Sequence, residues 1–208
     1  MSMNKSSIAV LTILALMIGF SLSWYLARNQ PVELESGTWF GEQARALPDF
    51  ELIDQDNRKL TRDSLRGKWS LLFFGFTHCP DICPTTLQTL KQMMEQIEDP
   101  DVAAAVQVIF VSVDPERDTP AILRDYVTYF DPRFVGATAT MEHLRQLTGP
   151  LGIAHQIRNR IGDSMDYDVD HSAAIVLVNP DAEFAGLFGA PQDAAAMARD
   201  MTRIVEHN

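Results

Sequence analysis

Three short, nearly continuous apolar runs, Trp69 to Phe74, Val106 to Val113 and Ala173 to Val178, do most to limit what this chain can fold into. Runs of this length without polar alternation are what strands covered on both faces of a sheet require. Between the first two, Leu87, Leu90, Met94 and Ile97 recur at helical spacing. After the second, Thr119-Pro120 supplies an N-cap and a first-turn proline for a helix through Phe130. Phe134-Val135 is a short third strand candidate, and Met141 to Leu151 a helix interrupted at Gly149-Pro150. Ile153 to Arg158 and Tyr167 to Val169 pair around an acidic loop. Glu183 to Phe188 is a strand after the turn Asn179-Pro180-Asp181-Ala182, and Ala194 to Val205 is a closing helix. Upstream, Phe50 to Ile53 and Arg58 to Leu60 flank Asp54-Gln55-Asp56-Asn57 as a hairpin, followed by a short helical turn at Ser64 to Arg66. This alternation predicts an α/β fold, a thioredoxin-like mixed sheet flanked by helices.

At 208 residues the chain suits one domain with an appendage. The appendage is Ile8 to Leu26, free of charge and apolar, which as a helix spans about 28 Å, enough to cross a bilayer. Trp24, Tyr25 and Arg28 stand where an uncleaved anchor carries its interfacial residues, so an N-terminal transmembrane helix is expected rather than a removed signal. Lys5 precedes the span and no acid does. That charge pattern puts the N-terminus in the cytoplasm and the domain outside, in a bacterial periplasm or a mitochondrial intermembrane space. The expected organisation is an anchor over residues 1–27, a tether over 28–46 and a folded domain over 47–208. The net charge is −11 and both charges in the first thirty residues are positive, so the domain is acidic. Such a field repels nucleic acid and other polyanions and serves solubility.

The only cysteines, Cys79 and Cys83, lie just after the first apolar run. Two thiols with three residues between them close as a disulfide or grip a thiophilic metal. A bridge closing so small a loop stabilises by only about 2 kcal/mol, against about 5 for a loop of ~100 residues, so the pair is functional rather than structural. With Pro84 as the first helical residue, Cys83 is the N-cap, where the helix amides favour a thiolate. His171, immediately before the third apolar run, is the strongest candidate for a third ligand. Two thiolates and one imidazole suit copper: sulfur selects Cu(I), the imidazole keeps Cu(II) accessible, and structural zinc asks for a fourth ligand. Spacing alone leaves the disulfide and metal readings both open. His78 is a neighbour of the site and not a ligand. His143, His155 and His207 are surface or packing residues, Met165 belongs to a solvated acidic loop with Asp163 and Asp166, and Asp114 with Arg117 forms an ion-pair frame.

Three segments, Phe76-Thr77-His78-Cys79-Pro80-Asp81-Ile82-Cys83-Pro84, Ser112-Val113-Asp114-Pro115-Glu116-Arg117-Asp118-Thr119-Pro120 and Asp170-His171-Ser172, are similar in kind and order to the signature segments of the Sco/SenC family of copper proteins. The resemblance covers residues from about 47 to 206. It implies a thioredoxin-like fold binding one copper ion, Cu(I) or Cu(II), through Cys79, Cys83 and His171. It further implies a metallochaperone, rather than a turnover enzyme, for the dinuclear copper centre of cytochrome c oxidase subunit II, with other copper chaperones or thiol reductants as further partners. The family is also argued to reduce the cysteines of that centre. The alternative is therefore a membrane-tethered thiol-disulfide oxidoreductase in which Cys79 and Cys83 form a redox-active disulfide. That alternative leaves His171 idle, and no proline stands at Asp170-His171-Ser172, where thioredoxin-type enzymes resemble one another in carrying a cis-proline. A peroxidase, suggested by Thr77-His78-Cys79-Pro80, wants a proline four residues before the threonine, where this chain has Phe73. One departure from the family pattern, Val176 in place of a frequent Tyr, leaves the ligand positions intact.

Overall fold

A computed structural model describes residues 5–28, 33–158, 162 and 167–207, and the chain divides into two units, Met1–Val32 and Glu33–Asn208. In the first, the apolar stretch is helical, α1 (Lys5–Arg28), and Leu14, Leu16, Ile18 and Phe20 are exposed on it. Among the described residues no helix is long and apolar enough to cross a membrane. The transmembrane helix expected over residues 8–26 therefore rests on the sequence; what the structure adds is helical backbone with outward apolar side chains.

The second unit runs β1 (Gly37–Trp39), β2 (Arg45–Ala46), β3 (Glu51–Asp54), β4 (Lys59–Thr61), β5 (Trp69–Gly75), α2 (Ile82–Gln96), α3 (Pro100–Ala105), β6 (Val106–Ser112), α4 (Pro120–Phe130), β7 (Val135–Thr138), α5 (Met141–Leu151), β8 (His155–Arg158), β9 (Asp168–His171), β10 (Ile175–Val178), β11 (Glu183–Phe188) and α6 (Ala194–His207). One sheet has the order β1-β11-β10-β5-β6-β7-β3-β4, with β2 also on β11; β8 and β9 form a separate ladder. The three apolar runs become its centre. β5 is parallel to β6 and antiparallel to β10, and β6 is parallel to β7. Parallel neighbours need long crossovers, which α2 with α3 and then α4 supply.

Every residue of β5 is buried, and its side chains alternate between two faces. Leu72 and Phe74 join Ile109, Val111, Val176 and Val178 in one core with Leu144, Leu147 and Leu151 of α5. On the other face Phe73 meets Phe110, ring centroids 5.9 Å apart. The architecture is thus a mixed α/β sheet flanked by helices, as the pattern of runs predicts.

Four features differ from the expected pattern. The segment 28–46 is not all tether: β1 and β2 pair with β11, covering what would otherwise be an open sheet edge, and Trp39 packs on Trp69 with centroids 5.5 Å apart. α3 is a short helix without an apolar period, started by Asp99, whose carboxylate accepts from the Asp101 amide at 2.8 Å. α5 continues through Pro150 instead of breaking there, because a proline in the last turn removes one backbone bond and left-handed Gly152 closes the helix just after it. α2 begins two residues earlier than Pro84. The expected acidic loop residues Asp163, Met165 and Asp166 lie outside the described residues.

Candidate metal centre

β5 ends at Gly75, and the chain turns through Phe76 to Asp81 before α2. One carboxylate pins this turn to the end of β6. Asp118, fully buried, accepts from the Thr77 amide at 2.9 Å, from Thr77 Oγ1 at 2.6 Å and from Ser112 Oγ at 2.5 Å. A buried carboxylate is tolerated only when hydrogen bonds satisfy its oxygens, so loop and strand end are held as one piece. His78 is exposed, its Nδ1 3.1 Å from Thr77 Oγ1 and 3.9 Å from Asp118 Oδ1.

The first helical bond of α2 runs from the Thr85 amide to the Asp81 carbonyl at 3.1 Å. Asp81 is therefore the N-cap, in place of Cys83, and Cys83 and Pro84 are the second and third helical residues. The proline is no worse there than at the first position, because first-turn amides have no intrahelical partner. The Cys83 amide donates to Cys79 Sγ at 3.5 Å. The two cysteines are not joined as a disulfide; Cys79 is half-buried and Cys83 buried. The Cys83 sulfur occupies a notch that exists because residue 75 is glycine: a Cβ there would lie 2.5 Å from it.

The expectation that the helix terminus eases ionisation of Cys83 is overturned. Its thiol is pushed well up, first by its hydrogen bond with Cys79, then by burial, with the charges of Cys79 and Asp118 adding to these and a backbone hydrogen bond at Phe76 opposing them. Desolvation and a neighbouring sulfur outweigh the helix dipole.

His171 arrives from another direction. It ends β9, and four residues later β10 begins with Ile175 paired to Phe73 of β5. Because β5 and β10 are antiparallel, the exit of β5 into the cysteine loop and the entry of β10 from His171 lie at the same end of the sheet. The start of β9 is tied to the loop after β6 by the expected ion pair of Arg117 with Asp114, to which Tyr167 is added. Tyr167 Oη donates to Asp114 Oδ1 at 2.6 Å, Arg117 Nη1 donates to the Tyr167 carbonyl at 3.0 Å, and the guanidinium carbon stands 3.8 Å from the Tyr167 ring centroid. Burial, then the bond to Asp114, push the Tyr167 phenol up to about 12.

The structure thus joins Cys79 and Cys83 directly and brings the backbone of His171 to their end of the sheet. Among the described residues no three His, Cys, Asp or Glu side chains form a ready metal cluster. The donor chemistry still fits a soft ion: two sulfurs lie side by side, and the nearby carboxylates Asp114 and Asp118 are engaged by their own donors. The sequence alone did not single out Gly75, Asp118 or Tyr167, and it raised Thr77 only for the peroxidase reading. Asp118 stands inside the second signature segment, which was the available signal for it; Tyr167 had none.

Comparison with known proteins gives the family and the fold. Residues 41–206 match the SCO1/SenC family profile. The mitochondrial protein SCO2 homolog of Bos taurus is 39% identical over 155 residues, covering 74% of this chain but 58% of that protein, so the chain spans little more than half of that relative. The crystal structure of Arabidopsis thaliana ScoI with copper bound superposes with a TM-score of 0.70 at 34% identity, over 77% of this chain and 98% of that one. Apo Sco1 of Thermus thermophilus gives 0.71 at 34% identity, over 82% and 95%. The matched span holds both cysteines and His171, and the chain belongs to the SCO1/SenC family.

Proposed function

We propose that residues 47–208 form a copper-binding domain in which Cys79, Cys83 and His171 hold one copper ion, Cu(I) or Cu(II), and that the protein delivers it to the dinuclear site of cytochrome c oxidase subunit II. Residues 8–26 anchor it in a membrane, the N-terminus cytoplasmic and the domain in the periplasm or, in a mitochondrion, the intermembrane space. The single observation that carries this reading is the sulfur pair, with the Cys83 amide on Cys79 Sγ at 3.5 Å, at the sheet end to which β9 delivers His171. The copper named for the Arabidopsis relative supports the choice of metal.

The residues divide the work. Sulfur gives the site its preference for a soft ion, and the imidazole makes the higher oxidation state accessible. Cys83, buried, must lose its proton for the ion to bind. Cys79, half-buried, is the sulfur that an incoming thiolate reaches. His171 comes from a separate ladder and is displaced without parting the cysteines, so transfer proceeds by ligand exchange beginning at His171. The test is Cu(I) titration of the reduced full-length protein against a competing chelator, followed by transfer to the copper domain of subunit II. One ion per chain is expected, with losses of tenfold or more in Cys79→Ser, Cys83→Ser and His171→Ala. Unchanged affinity in these variants contradicts the reading.

A second reading draws on the asymmetry of the pair. A half-buried Cys79 beside a buried Cys83 suits attack on a substrate disulfide by Cys79, and then release of the mixed disulfide by Cys83. The chain's dithiol becomes a disulfide and the substrate's disulfide becomes two thiols. Stoichiometric reduction of the oxidised subunit II cysteines by the copper-free protein supports this; no reduction excludes it.

A further inference from the structure

Tyr126 carries a buried hydroxyl to which the three-ligand site gives no task. Its Oη has no hydrogen-bond partner among the described residues. A buried O–H left unpaired destabilises a fold, and such a group calls for a use. Tyr126 stands on α4, which packs against α2, and its ring centroid is 5.4 Å from that of Phe110 in β6. The edge of the Phe110 ring meets Cys83 Sγ at the glycine notch, since a Cβ on Gly75 would lie 2.8 Å from Phe110 Cε2 and 2.5 Å from the sulfur. Tyr126 and the Cys83 sulfur therefore flank the same ring. The Tyr126 phenol is pushed up first by burial and then by the charges of Cys83, Cys79 and Asp118, in that order. Of these three, Asp118 already accepts from the Thr77 amide, Thr77 Oγ1 and Ser112 Oγ. The acceptor left for the hydroxyl is sulfur, and Cys83 acts on the phenol more strongly than Cys79.

We propose that Tyr126 is a positioning residue of the copper site, its hydroxyl donating a hydrogen bond to Cys83 Sγ once that sulfur is a metal-bound thiolate. The inference rests on the reading of Cys83 as a copper ligand and adds a donor to it from α4. A thiol sulfur is a weak acceptor, and as a thiol Cys83 is hydrogen-bonded with Cys79. A hydrogen bond to an ionised acceptor is roughly twice as strong, so turning the hydroxyl toward the thiolate satisfies a group that is otherwise stranded. The rings of Phe110 and Phe130 against Tyr126 make a low-dielectric setting in which such a bond is stronger than in water. The bond draws electron density from the sulfur, which weakens its donation to the ion and favours Cu(I) over Cu(II).

The experiment compares full-length protein in detergent with its Tyr126→Phe variant, and takes Tyr129→Phe, at an exposed position of the same helix, as the control. Tyr126→Phe removes an unpaired buried hydroxyl, so without copper it melts no lower than the native protein, and one bound Cu(I) raises its Tm by less. An equal rise in the two proteins makes Tyr126 a packing residue only and overturns the proposal. With Cu(II) bound, the sulfur-to-copper charge-transfer band moves to lower energy in Tyr126→Phe. The ratio of Cu(I) to Cu(II) affinity falls about tenfold, which is about 59 mV in the potential of the bound ion. A band and potential that match the native protein overturn the proposal, as does an equal change in Tyr129→Phe. Nuclear magnetic resonance of native protein labelled at the tyrosine Cζ covers a variant that fails to fold. Cu(I) moves the Tyr126 signal and leaves that of Tyr129 in place, and an unmoved Tyr126 signal overturns the proposal. The native protein separates the two claims: absence of a sulfur-to-copper band there refutes the cysteine ligands and this proposal together, whereas a band indifferent to Tyr126→Phe refutes this proposal alone.

Discussion

Replacing Gly75 with alanine tests whether the cysteine site depends on the notch at the end of β5. The new Cβ would stand 2.5 Å from Cys83 Sγ and 2.8 Å from Phe110 Cε2, where ordinary contacts are about 3.5–4.0 Å. Phe110 is fully buried against Phe73 and Tyr126 and has little room to retreat. The sulfur therefore moves, by about 1 Å or more, and carries the first turn of α2 with it. Overpacking of this kind costs about 1–3 kcal/mol, or about 2–12 °C in Tm for a chain of this size. Copper affinity falls by about 10- to 100-fold, the range for disturbing the groups that orient a metal ligand. Gly136→Ala is the matched control. Its Cβ would crowd Leu123 Cβ at 3.1 Å and Val127 Cγ1 at 3.2 Å, between β7 and α4, straining the core without touching either sulfur. Cu(I) competition titrations and thermal melts of both variants decide the matter. A folded Gly75→Ala protein that binds Cu(I) within twofold of the native protein refutes the reasoning. So does a Gly136→Ala protein that loses as much affinity, since the effect would then follow stability alone.

Thr77→Val removes one of the hydroxyl donors to buried Asp118 and lowers stability by about 1–3 kcal/mol in urea unfolding; an unchanged midpoint contradicts the pinning role. The Tyr167 phenol is raised from 10.0 to about 12 in the fold, so the stability it contributes is fully present below pH 10 and is lost as pH rises through about 12. Tyr167→Phe removes that part of the alkaline loss, and identical alkaline profiles for the two proteins contradict it. Because the Cys83 thiol is pushed up, it is protonated at neutral pH and copper binding expels its proton. Apparent Cu(I) affinity then climbs about tenfold per pH unit from Cys83 alone, and a flat profile between pH 6 and 8 contradicts the ionisation of that sulfur on binding.

The centre of the sheet was legible because burial on both faces leaves an unmistakable mark: β5, β6 and β10 coincide with the three apolar runs. Strands with weaker marks were not. β1 and β2 are two or three residues each and exist through pairing with β11, a tertiary fact with no local periodicity. α3 was hidden for a similar reason, its start fixed by the Asp99 cap while its interior has little apolar pattern. Among the candidate ligands, residue types with few other uses, the two cysteines and a histidine before a buried strand, drew attention in the sequence, and the structure brings the two cysteines together and the backbone of His171 to their end of the sheet. The ionic state of Cys83 did not follow from its place at a helix start, because burial and the Cys79 sulfur outweigh the dipole there. Asp118 and Tyr167 work through contacts 41 and 53 residues away in sequence, Asp118 with Thr77 and Tyr167 with Asp114, and no spacing rule reaches that far.

The claim on which the rest depends is that two sulfurs and one imidazole nitrogen hold the same ion. X-ray absorption at the copper edge of the Cu(I)-loaded full-length protein measures this directly, compared with its His171→Gln variant. The account predicts a shell of two sulfurs and one nitrogen, with the nitrogen lost and both sulfurs kept in the variant. A shell without sulfur, or a spectrum indifferent to the substitution at 171, would contradict it.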